Sequence, residues 1–154
     1  MSKIKGREKL LRQLRELPAV ARSEIKQALA QAADELVASQ KRLASSKQVA
    51  DSIEQHWGDK PSGFPSGVLT SAGAVEGDPD LTVWITAGDG DAYWARWEEF
   101  GTKPRPQGGF FKGTMHPGTR ARPFFYPPYR MLKKRLRSRI ARAYRRAAKK
   151  VVAG

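Results

Sequence analysis

The chain has 154 residues, the size of one ordinary domain, and 40% of them are hydrophobic, enough for a modest core. It contains no cysteine, which excludes a disulfide framework, a thiolate nucleophile and any cysteine-based zinc or iron-sulfur site. Its formal net charge of +14 is confined to one end: residues 1–100 carry 13 basic and all 15 acidic side chains, whereas residues 101–154 carry 16 basic and no acidic ones. A block so one-sided repels itself, which points to an anionic neighbour, either nucleic acid or acidic faces on other subunits.

Near the start of the chain Lys3, Lys5, Arg7 and Lys9 lead into further charge instead of an apolar signal core, and no stretch approaches the roughly 20 apolar residues of a membrane span. Neither export nor a membrane is expected. Residues 7–17 place Leu10, Leu11, Leu14 and Leu17 at the three- and four-residue steps of one helix face, and Pro18 interrupts or restarts that helix. From Ala19 the pattern resumes through Ile25, Leu29, Ala32, Leu36 and Leu43 to Val49 and Ile53. It predicts an amphipathic helix of about thirty residues, with a bend or break toward Ser39, Ser45 and Ser46.

Residues 58–67, rich in Gly, Pro and Ser, read as an exposed loop. Beyond it, residues 68–75 and 81–86 flank a turn-forming EGDPD segment and predict a β-hairpin, in which Leu81, Val83 and Ile85 alternate with Thr82, Trp84 and Thr86 as in a half-buried strand. Two strands are marginal in water, so further strands must come from this chain or from a neighbouring copy. Asp91 is placed to cap a short helix over residues 92–100, with Tyr93, Trp97 and Phe100 on one face and Gly101 at its end. Residues 102–123 hold eight Gly and Pro residues and predict a long loop or contact arm, whose Phe110, Phe111 and Met115 want a partner surface. Residues 127–152 place Leu132, Leu136, Ile140, Tyr144, Ala147 and Val151 on one stripe of a cationic amphipathic helix.

Nothing in this order of residues forms a recognisable reaction centre. His56 and His116 lie sixty residues apart, outside any metal-ligand spacing, and no Gly-x-Ser-x-Gly elbow is present. Glu98 and Glu99 are adjacent on a helix and point about 100° apart, so they read as an exposed acidic patch and not as a catalytic pair. Asp89-Gly90-Asp91 lacks the further ligands of a calcium loop and reads as turn chemistry. No catalytic, cofactor-binding or metal-ligating residue is nominated, and neither an enzyme nor a small-molecule substrate is expected. The cationic helix is different, because a row of Arg and Lys can neutralise phosphates without reading any base. Arg130, Lys133, Lys134, Arg137, Arg142, Arg145, Arg146 and Lys149 are the candidate contacts to a polyanion or an acidic partner.

The fold expected from these elements is α+β: one domain over residues 1–154, with a long N-terminal helix and the basic C-terminal helix packed on a small, mainly antiparallel sheet. At Tyr93–Pro106 (YWARWEEFGTKPRP) and Ala121–Arg130 (ARPFFYPPYR) the chain resembles a small tail-component family of long-tailed bacteriophages, whose members join or complete the head-tail neck. In that family a "YA..VEFGT" helix and turn precede an "ARPFL.PA" opening of a final helix. Tyr93, Ala95, Glu98 or Glu99, Phe100, Gly101 and Thr102 fit the first pattern, and Ala121, Arg122, Pro123, Phe124, Phe125 and Pro127 fit the second. An earlier "L..SI" helix ending is similar to Val49–Ile53. The insertion between Pro106 and Arg120, and Trp97 in place of a smaller apolar residue, depart from the pattern.

The resemblance implies a virion neck protein, a ring-forming tail terminator or completion factor between the tail tube protein and a head-side connector or stopper, assembled in the host cytoplasm. Hexameric symmetry would match a tail tube. Trp94, Trp97, Glu98, Glu99, Phe110, Phe111, Phe124 and Phe125 are then the candidate subunit or ring contacts, with Phe100 read as the buried aromatic that ends its helix. The last helix would face acidic neighbours or packaged DNA. The alternative is a nucleic-acid-binding protein that uses the same helix, without sequence specificity and without a ring.

Overall fold

The computed structural model describes residues 19–59, 61, 69–74 and 78–153. The expected helix over 7–17, its interruption at Pro18 and most of the 58–67 loop lie outside the described residues. Helix α1 (Ala19–Leu43) is followed by α2 (Lys47–Asp51), strand β1 (Glu54–Trp57), β2 (Leu69–Ala74), β3 (Thr82–Ala87), α3 (Ala95–Phe100), two short strands β4 (Arg105–Pro106) and β5 (Met115–His116), and α4 (Tyr126–Ala153). The architecture is α+β: α1 packs on α4 and on an antiparallel sheet of order β1-β3-β2, and α4 shares one apolar cluster with both.

Helix α1 is rich in Ala, the best helix former, and its buried Ala21, Ala28, Ala32 and Ala33 let other elements approach closely while Ile25, Leu29 and Leu36 fill the space between. It ends at Leu43, which is exposed although it continues the apolar spacing. The apolar spacing runs on to Ile53, but the helix breaks at residues 44–46, at the Ser45 and Ser46 where a bend or break is expected. The cause is local: Ser46 Oγ accepts the Val49 N–H at 3.2 Å and caps α2, which starts a new helix instead of extending the old one. Ser39 does not break α1, because its hydroxyl bonds back to the Glu35 carbonyl at 2.9 Å.

The hairpin read from residues 68–86 is present as β2 and β3, with Thr70 opposite Thr86 and Gly73 opposite Val83. The third strand comes from this chain. β1 lies just after Ile53 and pairs Glu54 with Thr86 and Trp57 with Val83, which makes β3 the central strand. That position explains why β3 is not half-buried: Thr82 and Thr86 are buried as well as Val83 and Ile85. Thr86 Oγ1 lies 3.0 Å from His56 Nε2, and Thr82 Oγ1 donates to the Asp78 carbonyl at 2.7 Å, so the hydroxyls are satisfied where they are covered.

Two apolar clusters make the core. The larger joins Leu36, Val49, Ile53, Val83, Ile85, Phe124, Phe125 and Leu136, and the smaller joins Ile25, Leu29, Leu81 and Ala147. Trp57 and Ile140 pack against both. Phe124 and Phe125, expected at a subunit interface, are fully buried inside the chain, each burial worth about 2–3 kcal/mol. They cannot reach a partner.

The turn before α3 is capped by Asp89, whose Oδ1 accepts the Asp91 and Ala92 N–H groups. Asp91 was the expected cap, over 92–100; instead α3 starts at Ala95 without a side-chain cap. The arm between α3 and α4 also differs from the irregular loop expected. β4 and β5 pair, Thr102 bridges Thr119, and a 3-10 turn at Gly109–Phe111 forms the tip. Gly101 and Gly118, both at positive φ, permit its base. Gly101 has φ 71° and ψ 177°, and a Cβ there would lie 2.7 Å from the Thr119 carbonyl oxygen.

Candidate functional site

The two segments that carry the family resemblance meet in one clamp. Helix α3 buries Ala95 and Glu99, not its aromatic residues, and this brings the Glu99 carboxylate to the start of α4. Oε2 accepts the N–H groups of Phe124 and Phe125 at 2.7 and 2.8 Å, and Oε1 accepts that of Tyr126 at 3.1 Å. A helix N-terminus leaves its first N–H groups without partners and carries positive dipole charge, so a buried carboxylate satisfies both needs. Pro127 and Pro128 follow, where missing N–H groups remove two further orphans. The clamp is completed by Gln40 of α1, whose Nε2 donates to the Phe125 carbonyl at 2.9 Å, and by a 2.7 Å bond from the Arg122 N–H to the Glu98 carbonyl.

This geometry corrects two readings. Glu99, expected in an exposed acidic patch and at a ring contact, is only 3% exposed and fully engaged within the chain. Phe100, expected as the buried aromatic, is 58% exposed and leans on Tyr126 at 5.9 Å between ring centroids. The short helix is rotated relative to the apolar pattern because a buried carboxylate with three donors outweighs the burial of one ring.

What α3 leaves outside is aromatic. Tyr93 and Trp97 are exposed and meet edge to face at 5.5 Å. Trp94, half-buried, joins Trp97, Ser45, Thr119, Arg120 and Arg122 along a groove of about 440 Å³ beside the base of the arm. Glu98 lines the same groove and accepts the Ser45 N–H at 2.9 Å. Of the candidate contact residues, Trp94, Trp97 and Glu98 are therefore together at this groove. Phe110 and Phe111 are at the arm tip, exposed with Met115 nearby in sequence. Arg120 and Arg122 were not among the candidates. Their signal in the sequence is the Ala-Arg-Pro motif, of which Arg122 is the arginine and which Arg120 immediately precedes.

The cations of α4 divide into two sets. Glu35 of α1 pairs with Arg139 at 2.6 Å and with Arg135 at 3.2 Å, and Glu24 pairs with Lys150. These three join the helices. Lys133, half-buried, lies 5.8 Å over the Tyr129 ring. Arg130, Lys134, Arg137, Arg142, Arg145, Arg146 and Lys149 are exposed and have no ion pair among the described residues.

Among the described residues no group of three or more His, Cys, Asp or Glu could hold a metal ion, and no helix is long and apolar enough to cross a membrane. His56 serves the sheet through Thr86, with Glu54 at 3.7 Å, and His116 Nδ1 accepts the Gly118 N–H at 2.9 Å. Compared with protein-family models, with curated proteins and with solved structures, the chain matches none of them.

Proposed function

We propose that this protein is a structural component of a phage neck, a ring-forming tail-terminator or tail-completion subunit between the tail tube and a head-side connector or stopper, and that it acts in the virion. The observation that carries this reading is the clamp: two short motifs, with fourteen residues between them, are physically one unit through Glu99 and the start of α4. Motifs joined in this way organise a fold and are what a family of structural subunits would retain. The arm they enclose is ordered at its base and carries Phe110 and Phe111 exposed at its tip, as a contact between subunits or between rings would require.

Light scattering on the purified full chain, at several protein and salt concentrations, tests the proposal. The expected result is a ring of several 17.1 kDa subunits that persists at high salt, because apolar contacts are not screened. Replacing Phe110 and Phe111 by Ser should leave the far-ultraviolet circular dichroism unchanged and abolish the ring. A monomer under every condition tried would overturn the proposal.

A further inference from the structure

We infer that the outward face of α4 is a docking surface for the phosphate backbone of double-stranded nucleic acid, bound without regard to sequence. The inference goes beyond the neck reading and needs no ring.

The helix sorts its own charges. Towards α1 its cations are neutralised by Glu35 and Glu24. On the far side, at about 100° per residue, Arg130, Lys134, Arg142, Arg145 and Lys149 fall within about 60° of the direction opposite the buried Leu136, Ala143 and Ala147. From Arg130 to Lys149 this face runs about 28 Å along the helix axis. Like charges at four-residue steps, such as Arg130 with Lys134 and Arg145 with Lys149, each destabilise a helix by a few tenths of a kcal/mol. Among the described residues no acid pairs with them, and a polyanion would relieve them.

The chemistry of the face selects among anionic partners. Protein interfaces bury aromatic or aliphatic anchors at their centres and are depleted in Lys. Here Ser138 and Ala141 are the exposed uncharged residues between the central cations, and Met131, the one large exposed apolar group among the described side chains of α4, sits in its second turn. An anionic membrane would need the apolar stripe of an amphipathic helix to enter the lipid. From Leu132 to Ala147 that stripe is already packed against the core. A regular row of cations with no apolar centre fits a surface that is itself a regular row of charges, and duplex nucleic acid presents one about every 1.7 Å of its axis. Contacts of this kind set position and carry no base readout.

The test uses the full chain and fluorescently labelled duplexes of about 20 base pairs in unrelated sequences, with binding followed by anisotropy as salt is varied. Five phosphate contacts predict a slope of log K against log salt of about −4.5, so affinity falls about 500-fold between about 50 and about 200 mM salt. All sequences should bind alike. The double substitution R145Q/K149Q should reduce the slope to about −2.7, with the fold checked by circular dichroism. The substitutions F110S/F111S should bind as the parent does, whether or not the ring forms. An unchanged slope in R145Q/K149Q, loss of binding in F110S/F111S, or displacement of the duplex by poly-glutamate at equal charge concentration would overturn the inference.

Discussion

Glu99 accepts the backbone N–H of Phe124, twenty-five positions further along the chain, at 2.7 Å, with the carboxylate almost wholly out of water. Through this bond and its two companions, the end of one helix fixes the beginning of another, and the arm between them is tied at both ends. The exposed Phe110 and Phe111 are therefore carried on an anchored projection.

Replacing Glu99 by Ala would leave three covered donors without acceptors, each costing about 1–3 kcal/mol, so a loss of about 3–5 kcal/mol is expected after partial hydration. Glu99→Gln keeps one carbonyl oxygen and should fall between the parent and the Ala variant. Urea unfolding checks the order: the midpoints should decrease in that sequence with the slope of the transition unchanged.

Gln40 sits against the same helix start, yet its removal should be mild. Its amide donates to the Phe125 carbonyl, but its own Oε1 is buried without a partner among the described residues. Gln40→Met gives up one neutral bond and also relieves one unsatisfied acceptor, so the net change expected is about 1 kcal/mol or less. A loss as large as that of Glu99→Ala in the same urea experiment would contradict the bookkeeping.

At the base of the arm Gly101→Ala meets both a backbone conformation that only Gly adopts readily and the carbonyl oxygen of Thr119. At the tip Gly113, φ 94°, has open space where a Cβ would go. Thermal unfolding should separate the two effects: about 1 kcal/mol for Gly113→Ala from conformation alone, and at least about twice that for Gly101→Ala. Hydrogen exchange over residues 102–119 should quicken in the second variant.

Glu35 holds Arg139 and Arg135 across the two long helices from a half-buried position. Partly exposed pairs are worth little, and Glu35→Ala should cost about 1 kcal/mol at low salt and less as salt screens the parent's pairs. Unfolding measured at low and high salt would show the difference between parent and variant shrinking.

Much of the architecture was legible in the residues because it rests on repeating patterns. The three- and four-residue apolar steps of Ile25, Leu29, Ala32 and Leu36 and of Leu132, Leu136 and Ile140 marked the two long helices, and the alternation around Val83 marked the central strand. β1 was not legible: four residues, Glu54–Trp57, carry no apolar alternation and become a strand through pairing with β3. Phe100 and Glu99 exchanged their expected places for a related reason. Hydrophobicity assigns the ring to the core, and only the arrival of three backbone donors from residues 124–126 makes a carboxylate the better occupant.

By itself, then, the sequence determined that the chain is α+β, that its positive charge is C-terminal and that an apolar, breaker-rich segment lies between two motifs, since these follow from composition and period. Tertiary structure decided which of those charges and rings are available. Arg135, Arg139 and Lys150 belong to the joint with α1, Phe124 and Phe125 to the core, and Phe110 and Phe111 to the surface. Availability depends on which groups approach from distant parts of the chain, and no local pattern encodes that.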